Sequence, residues 1–250
     1  MVEWRPAASS IREYAECAGE PEYVRGLAAN PPGGGVNPNL LSFTNSGGLM
    51  GKGVCWWHSR FTRAALYLAF FLPDRPRPGR ARAREIISSL MKADRVVAIP
   101  GYTCLREFSA EHERDIRKTL ERRQLLEGLV FLAWVNGLAG ASSVGPSRMK
   151  TLMDRIYTEC SSGGLVYVKF QTPGMDAHSL IITGCRPDRY GGYTVRYLDS
   201  NRPREDVLRY RTGFGSLELA SGMTGVPYVQ RSGELRRFLK LTDRFAPGDF

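Results

Sequence analysis

Gly51-Lys52-Gly53-Val54-Cys55-Trp56-Trp57 carries a glycine-rich loop straight into an apolar segment that predicts a helix from Cys55 to about Leu72. Trp57, Phe61, Ala64, Ala65, Leu68 and Phe71 fall near one helical stripe, so this helix is expected to be central and buried. The same reading puts the Cys55 thiol at the positive end of the helix dipole, where unpaired backbone N–H groups favour a thiolate. The loop brushes against a phosphate-binding pattern but fails it, because position 46 is serine and Gly53 follows the lysine.

A thiolate nucleophile needs a base, and the chain has three histidines to supply one. His58 follows Cys55 by one helical turn, a placement that cannot easily align for proton transfer across a cleft. His112, in Ala110-Glu111-His112-Glu113-Arg114, belongs to a charged helical stretch expected to face water. His178 opens His178-Ser179-Leu180-Ile181-Ile182, a β-rich apolar run behind Pro173-Gly174, and therefore stands at a strand entrance. A second strand, Tyr193-Thr194-Val195-Arg196-Tyr197-Leu198, ends at Asp199-Ser200-Asn201. Pairing of the two as an antiparallel hairpin makes His178 and Asp199 neighbours.

The remaining pattern places helices first and strands later. A short helix within Met1–Gly19 precedes a turn-rich stretch, Glu20–Gly48, and further helices are expected over Arg80–Lys92, Ser109–Leu138 (long or broken) and Pro146–Cys160, with a short strand at Arg95–Ile99. After Ser161-Ser162-Gly163-Gly164 the pattern changes to strands at Leu165–Phe170, Ser179–Thr183 and Thr194–Leu198, with weaker ones at Val207–Tyr210 and Ser216–Leu219. The class is α+β: a turn-rich segment over 1–48, then a domain over 49–250 with a helical part at 49–162 and an antiparallel β part at 163–250.

Cysteine, then histidine, then aspartate, on a helix start and two adjacent strands, resembles the papain-like cysteine peptidase superfamily over about Asn45 to Asn201. Gly53-Val54-Cys55-Trp56 is similar to the segment around their nucleophile, Asp176-Ala177-His178-Ser179 to the one carrying their base, and Leu198-Asp199-Ser200-Asn201 to the strand end carrying their third residue. Cys55 precedes His178 by 123 residues and Asp199 by 144, against roughly 130–150 in papain and the cathepsins. The resemblance implies a two-lobe fold and a thiol hydrolase that cleaves a peptide or isopeptide bond of a protein or peptide substrate through an acyl-enzyme, without cofactor or metal. His178 would accept the proton of Cys55, Asp199 would orient the imidazole, and the Cys55 N–H would help hold the oxyanion. Papain-like enzymes place a glutamine shortly before the nucleophile. Leu49 and Met50 occupy that region here, and Asn45 is the nearest upstream amide and the candidate second donor. Of Trp56 and Trp57, one is expected to pack the helix and the other to line the cleft, with Trp56 the candidate substrate contact. Aspartate as the third residue also occurs in more distant relatives, including bacterial effector proteases, transglutaminases and deamidases. Acyl transfer or deamidation at the same triad, or a non-catalytic papain-like binding module, are therefore the alternatives.

Composition bounds the rest. With 250 residues, 42% of them apolar, the chain can bury a substantial core. Five cysteines with no C-x-x-C pair argue against a disulfide framework and against a zinc site. A reducing compartment fits this inventory, as does a secreted effector without a cleaved signal, since Met1–Glu20 lacks a basic start followed by an apolar stretch. The apolar run Gly128–Ala141 is too short to cross a bilayer, so no membrane insertion is expected. The net charge is +10, with Arg75, Arg77, Arg80, Arg82 and Arg84 clustered. Pro76, Pro78 and Gly79 read as a solvated linker into a helix with arginines on its exposed face, and nucleic acid is not the expected partner.

Overall fold

The structure, a computed structural model, describes residues 2–46, 54–130, 140–174, 177–230 and 232–245. Most of the loop that leads into Cys55, the end of the helix expected to reach Leu138, and Asp176 lie outside the described residues. The class is α+β, with helices before the main sheet and one more after it.

The helix that begins at Cys55, α3 (Cys55–Leu68), follows two short N-terminal helices, α1 (Ile11–Cys17) and α2 (Pro21–Ala28). From Trp57 to Leu68 its residues are buried, apart from a half-buried Arg60. It is shorter than expected, because Ala69–Leu72 leaves the helix as strand β1. Pro73 restrains Leu72 to extended backbone, and the Phe70-Phe71 pair suits a strand. Strand β1 pairs in parallel with β2 (Val97–Pro100), and the crossover that a parallel pair requires is α4 (Arg80–Lys92). The helix expected over Ser109–Leu138 starts earlier and is broken at His112 into α5 (Leu105–Glu111) and α6 (Glu113–Val130).

The main sheet is six-stranded and antiparallel, in the order β6-β5-β4-β3-β8-β7. Its strands are β3 (Val166–Gln171), β4 (Ala177–Pro187), β5 (Tyr193–Asp199), β6 (Glu205–Tyr210), β7 (Leu217–Glu218) and β8 (Thr224–Val229). Strand alternation divides it into two apolar faces. Val166, Val168, Phe170, Leu180 and Ile182 pack on Met149, Met153, Ile156 and Cys160 of α7 (Pro146–Ser161). Leu165, Tyr167, Ile181 and Leu198 face the other way, into a cluster shared with Ala64, Tyr67 and Leu68 of α3. Just past the end of α7, the φ of +91° at Gly163 and its close approach to Pro21 leave no room for a side chain.

Three further elements depart from the sequence expectation. Helix α2 lies in the stretch read as turns, and Tyr23, Val24, Leu27, Leu40, Leu41 and Phe43 of the 1–48 segment are buried in the core. Strand β8 and a C-terminal helix, α8 (Ser232–Asp243), were not foreseen. Glu234 of α8 receives Arg60 and Arg63 of α3 at 3.2 Å each, and Phe238 stacks on Tyr67. The arginine cluster is largely absorbed in ion pairs: Arg77 with Glu107 and Glu111, Arg80 and Arg84 with Asp115, and Arg82 with Glu85. Among the described residues, no helix is long and apolar enough to cross a membrane.

Candidate functional site

Cys55 is the first residue of α3, half-buried, with the N-terminal amides of the helix around it. Its partners come from the sheet. Leu180 lies directly opposite Asp199 across the β4–β5 ladder, and His178 sits two residues before Leu180, so His178 and Asp199 share a face and meet diagonally. His178 Nε2 lies 2.7 Å from Asp199 Oδ1, and both side chains are almost wholly buried. The Cys55 side chain acts on the same imidazole and favours its charged form. Because Nε2 is committed to Asp199, Nδ1 is the atom left for the sulfur. Cys55 Sγ also lies 4.0 Å from the carbonyl oxygen of Ala177.

The next residue fixes this meeting. Ser179 points to the opposite face of β4, and its hydroxyl donates to the Cys55 carbonyl oxygen at 2.6 Å while lying 2.9 Å from Ser59 Oγ. Strand β4 thus grips α3 with one residue and presents the imidazole with its neighbour. Tyr167 adds a hydroxyl bond to the Trp56 carbonyl oxygen at 3.0 Å.

Burial disfavours a charged imidazole, but the hydrogen bond to Asp199, the carboxylate charge and the neighbouring Cys55 side chain outweigh it, and His178 is raised to about 10. Burial likewise works against ionised Asp199, yet the bond from His178, its positive charge and the Asn201 N–H hold the carboxyl below its usual value. Both directions favour an imidazolium–carboxylate pair. Asp199 Oδ1 also accepts the Asn201 N–H at 2.8 Å, so the Asx turn at this strand end and the contact with His178 coexist on one oxygen.

Asn45 reaches the site as a clamp. Its Oδ1 accepts the N–H of Val54 at 2.5 Å, its Nδ2 donates to Asn201 Oδ1 at 3.2 Å, and its backbone N–H donates to the Ser200 carbonyl oxygen at 2.8 Å. It therefore ties the start of α3 to the strand end carrying Asp199. Trp56 is half-buried, edge-on to Tyr167, and Trp57 is the more deeply packed of the two tryptophans, with the Arg60 guanidinium 4.5 Å above its ring.

The other histidines are elsewhere. His58 is buried, its Nε2 lies 3.0 Å from the Phe43 carbonyl oxygen, and burial lowers it to about 4. His112 does not face water as its charged neighbours suggest: it is half-buried against Phe108, bonds the Tyr102 hydroxyl at 2.9 Å, and burial lowers its pKa. Ser179, Ser59 and Tyr167 escaped the sequence reading, although the position of Ser179 beside His178 was a signal for the first of them. Among the described residues, no group of three or more His, Cys, Asp or Glu side chains is placed to hold a metal ion. Comparison of the chain with protein-family models, with curated proteins and with solved structures returned no match.

Proposed function

We propose that the protein is a cysteine peptidase of papain-like type, with Cys55 as nucleophile, His178 as the base and later acid, and Asp199 as the group that orients the imidazole. The observation that carries this reading is the buried His178–Asp199 pair at 2.7 Å, set beside Cys55, whose sulfur lies 4.0 Å from the carbonyl oxygen of Ala177, the residue before His178. A thiol at a helix N-terminus, close to a buried imidazole that is paired with a carboxylate, has the partners nucleophilic catalysis needs. Attack on a carbonyl carbon forms a tetrahedral oxyanion, held by the Cys55 N–H. His178 then protonates the leaving amine, and water releases the acyl group from sulfur.

Asn45 serves as second oxyanion donor only if its amide leaves Asn201, a bond that is long at 3.2 Å. The papain-like two-lobe description belongs to the same proposal: α3 from the helical part meets the antiparallel sheet where the triad assembles. Incubation with a peptide library, read by mass spectrometry, tests the reading. Chain cleavage that is lost in both Cys55→Ala and His178→Ala supports it. Cleavage that survives either substitution, or a mass shift of about one dalton or a crosslink without scission, contradicts it, the latter pointing to acyl transfer or deamidation at the same acyl-enzyme.

A further inference from the structure

Beside Asp199 lies a small cavity lined by Leu41, Phe43, His58, Thr62, Leu198 and Ser200 along with Asp199 itself. Four buried polar atoms on this lining have no hydrogen-bond partner among the described residues: His58 Nδ1, Thr62 Oγ1, Asp199 Oδ2 and Ser200 Oγ. Four such atoms around one small space are an accounting problem, because a buried polar group without a partner costs about 1–3 kcal/mol.

The donor inventory points to one solution. His58 Nε2 faces a carbonyl oxygen, which only accepts, so Nε2 carries the hydrogen and a neutral His58 offers Nδ1 as a bare acceptor. Burial lowers His58 to about 4, which keeps the ring neutral near pH 7. Ionised Asp199 is also acceptor-only, so Oδ2 and Nδ1 cannot satisfy each other. The charged groups acting on this space are His178 of β4 and Arg202 beside Asp199, with Arg117 of α6 facing His58.

We propose that this cavity binds an ordered water molecule that donates one hydrogen to Asp199 Oδ2 and the other to His58 Nδ1, and accepts from the Thr62 and Ser200 hydroxyls, so that His58 and Thr62 are positioning residues for Asp199. Asp199 is then held from both sides: Oδ1 by His178 and Asn201, Oδ2 by the water. The inference rests on the peptidase reading for its catalytic meaning, although the water site itself does not.

A crystal structure of the full chain tests it first. The expected result is density within about 3.2 Å of both Asp199 Oδ2 and His58 Nδ1; a dry cavity, or Oδ2 bonded directly to a protein group, overturns the proposal. The pH profile of Cys55 alkylation by iodoacetamide tests it second, and needs no turnover. Removing a donor from a carboxylate raises its pKa, so Thr62→Val and His58→Phe are expected to move the acid limb of the profile up by roughly one pH unit. His58→Gln, which keeps a donor for Phe43 and an oxygen for the water, is expected to restore it. Lower melting temperatures with an unmoved acid limb would show a merely structural role and sink the proposal. Water and acid limb as expected, without peptide cleavage, would remove the peptidase reading alone.

Discussion

At the residue scale, the pair His178–Asp199 links the site to pH. His178 is raised from 6.5 to about 10 in the fold, so the stability it contributes is fully present below about pH 6.5 and is lost as pH rises toward 10. Asp199 is lowered from 3.8, so its contribution is present above that value and is lost as pH falls through the folded pKa. Asp199→Asn removes the charge behind both. The melting-temperature gap between Asp199→Asn and the native protein is expected to be widest near pH ~5–6 and to narrow toward pH ~10. Thermal melts across that range check this, and a gap independent of pH would contradict the ion pair. This pair was legible in the sequence because two residues on adjacent antiparallel strands are tied by register, and register follows from the alternation of apolar side chains. The burial of His58 and His112 was not legible, since it depends on Phe43 and Tyr102, which come from other parts of the chain.

At the scale of elements, the start of α3 is the joint on which the site depends. Val54, its N-cap residue, makes no side-chain cap of its own, and the Val54 N–H is received by Asn45, nine residues earlier. Asn45→Ala is expected to cost about 1 kcal/mol, as loss of a helix cap does, and denaturant unfolding measures it. Asn45→Asp keeps the acceptor for Val54 and is expected to recover most of that loss. If Asn45 is also an oxyanion donor, turnover of the alanine variant falls by about 10²–10³-fold, far beyond what the stability change explains. The position of α3 was readable from Cys55 and its apolar stripe, but its end was not. The run Ala69-Phe70-Phe71-Leu72 continues the apolar pattern, and only pairing with the distant Val97–Pro100 makes it a strand. Helix α2 was missed for the opposite reason: its start at Pro21 stands in a turn-rich setting, although proline suits the first helical position.

At the scale of the whole molecule, α8 closes over the back of α3. Arg63 is 2% exposed and its carboxylate partner is Glu234, which Arg60 shares. Glu234→Ala leaves a buried guanidinium without its counter-charge, and is expected to cost roughly 3–5 kcal/mol in urea unfolding; a loss below ~1 kcal/mol would show that α8 is held by apolar contacts such as Phe238 on Tyr67 instead. This docking was invisible in the sequence, because the amphipathic Ser232–Asp243 pattern finds its partner 171 residues earlier. The proposed function requires the fold to bring one thiol to one imidazole, and the reactivity of Cys55 reports on that most directly. Three of the other four cysteines provide an internal reference: burial raises Cys17 to about 11 and Cys160 and Cys185 to about 12, which leaves them poor nucleophiles at neutral pH. Iodoacetamide labelling at pH 7, mapped by mass spectrometry, is expected to modify Cys55 first, and His178→Ala is expected to slow that reaction by at least about tenfold. Labelling of Cys55 no faster than that of Cys17, or unchanged by loss of His178, would contradict the account.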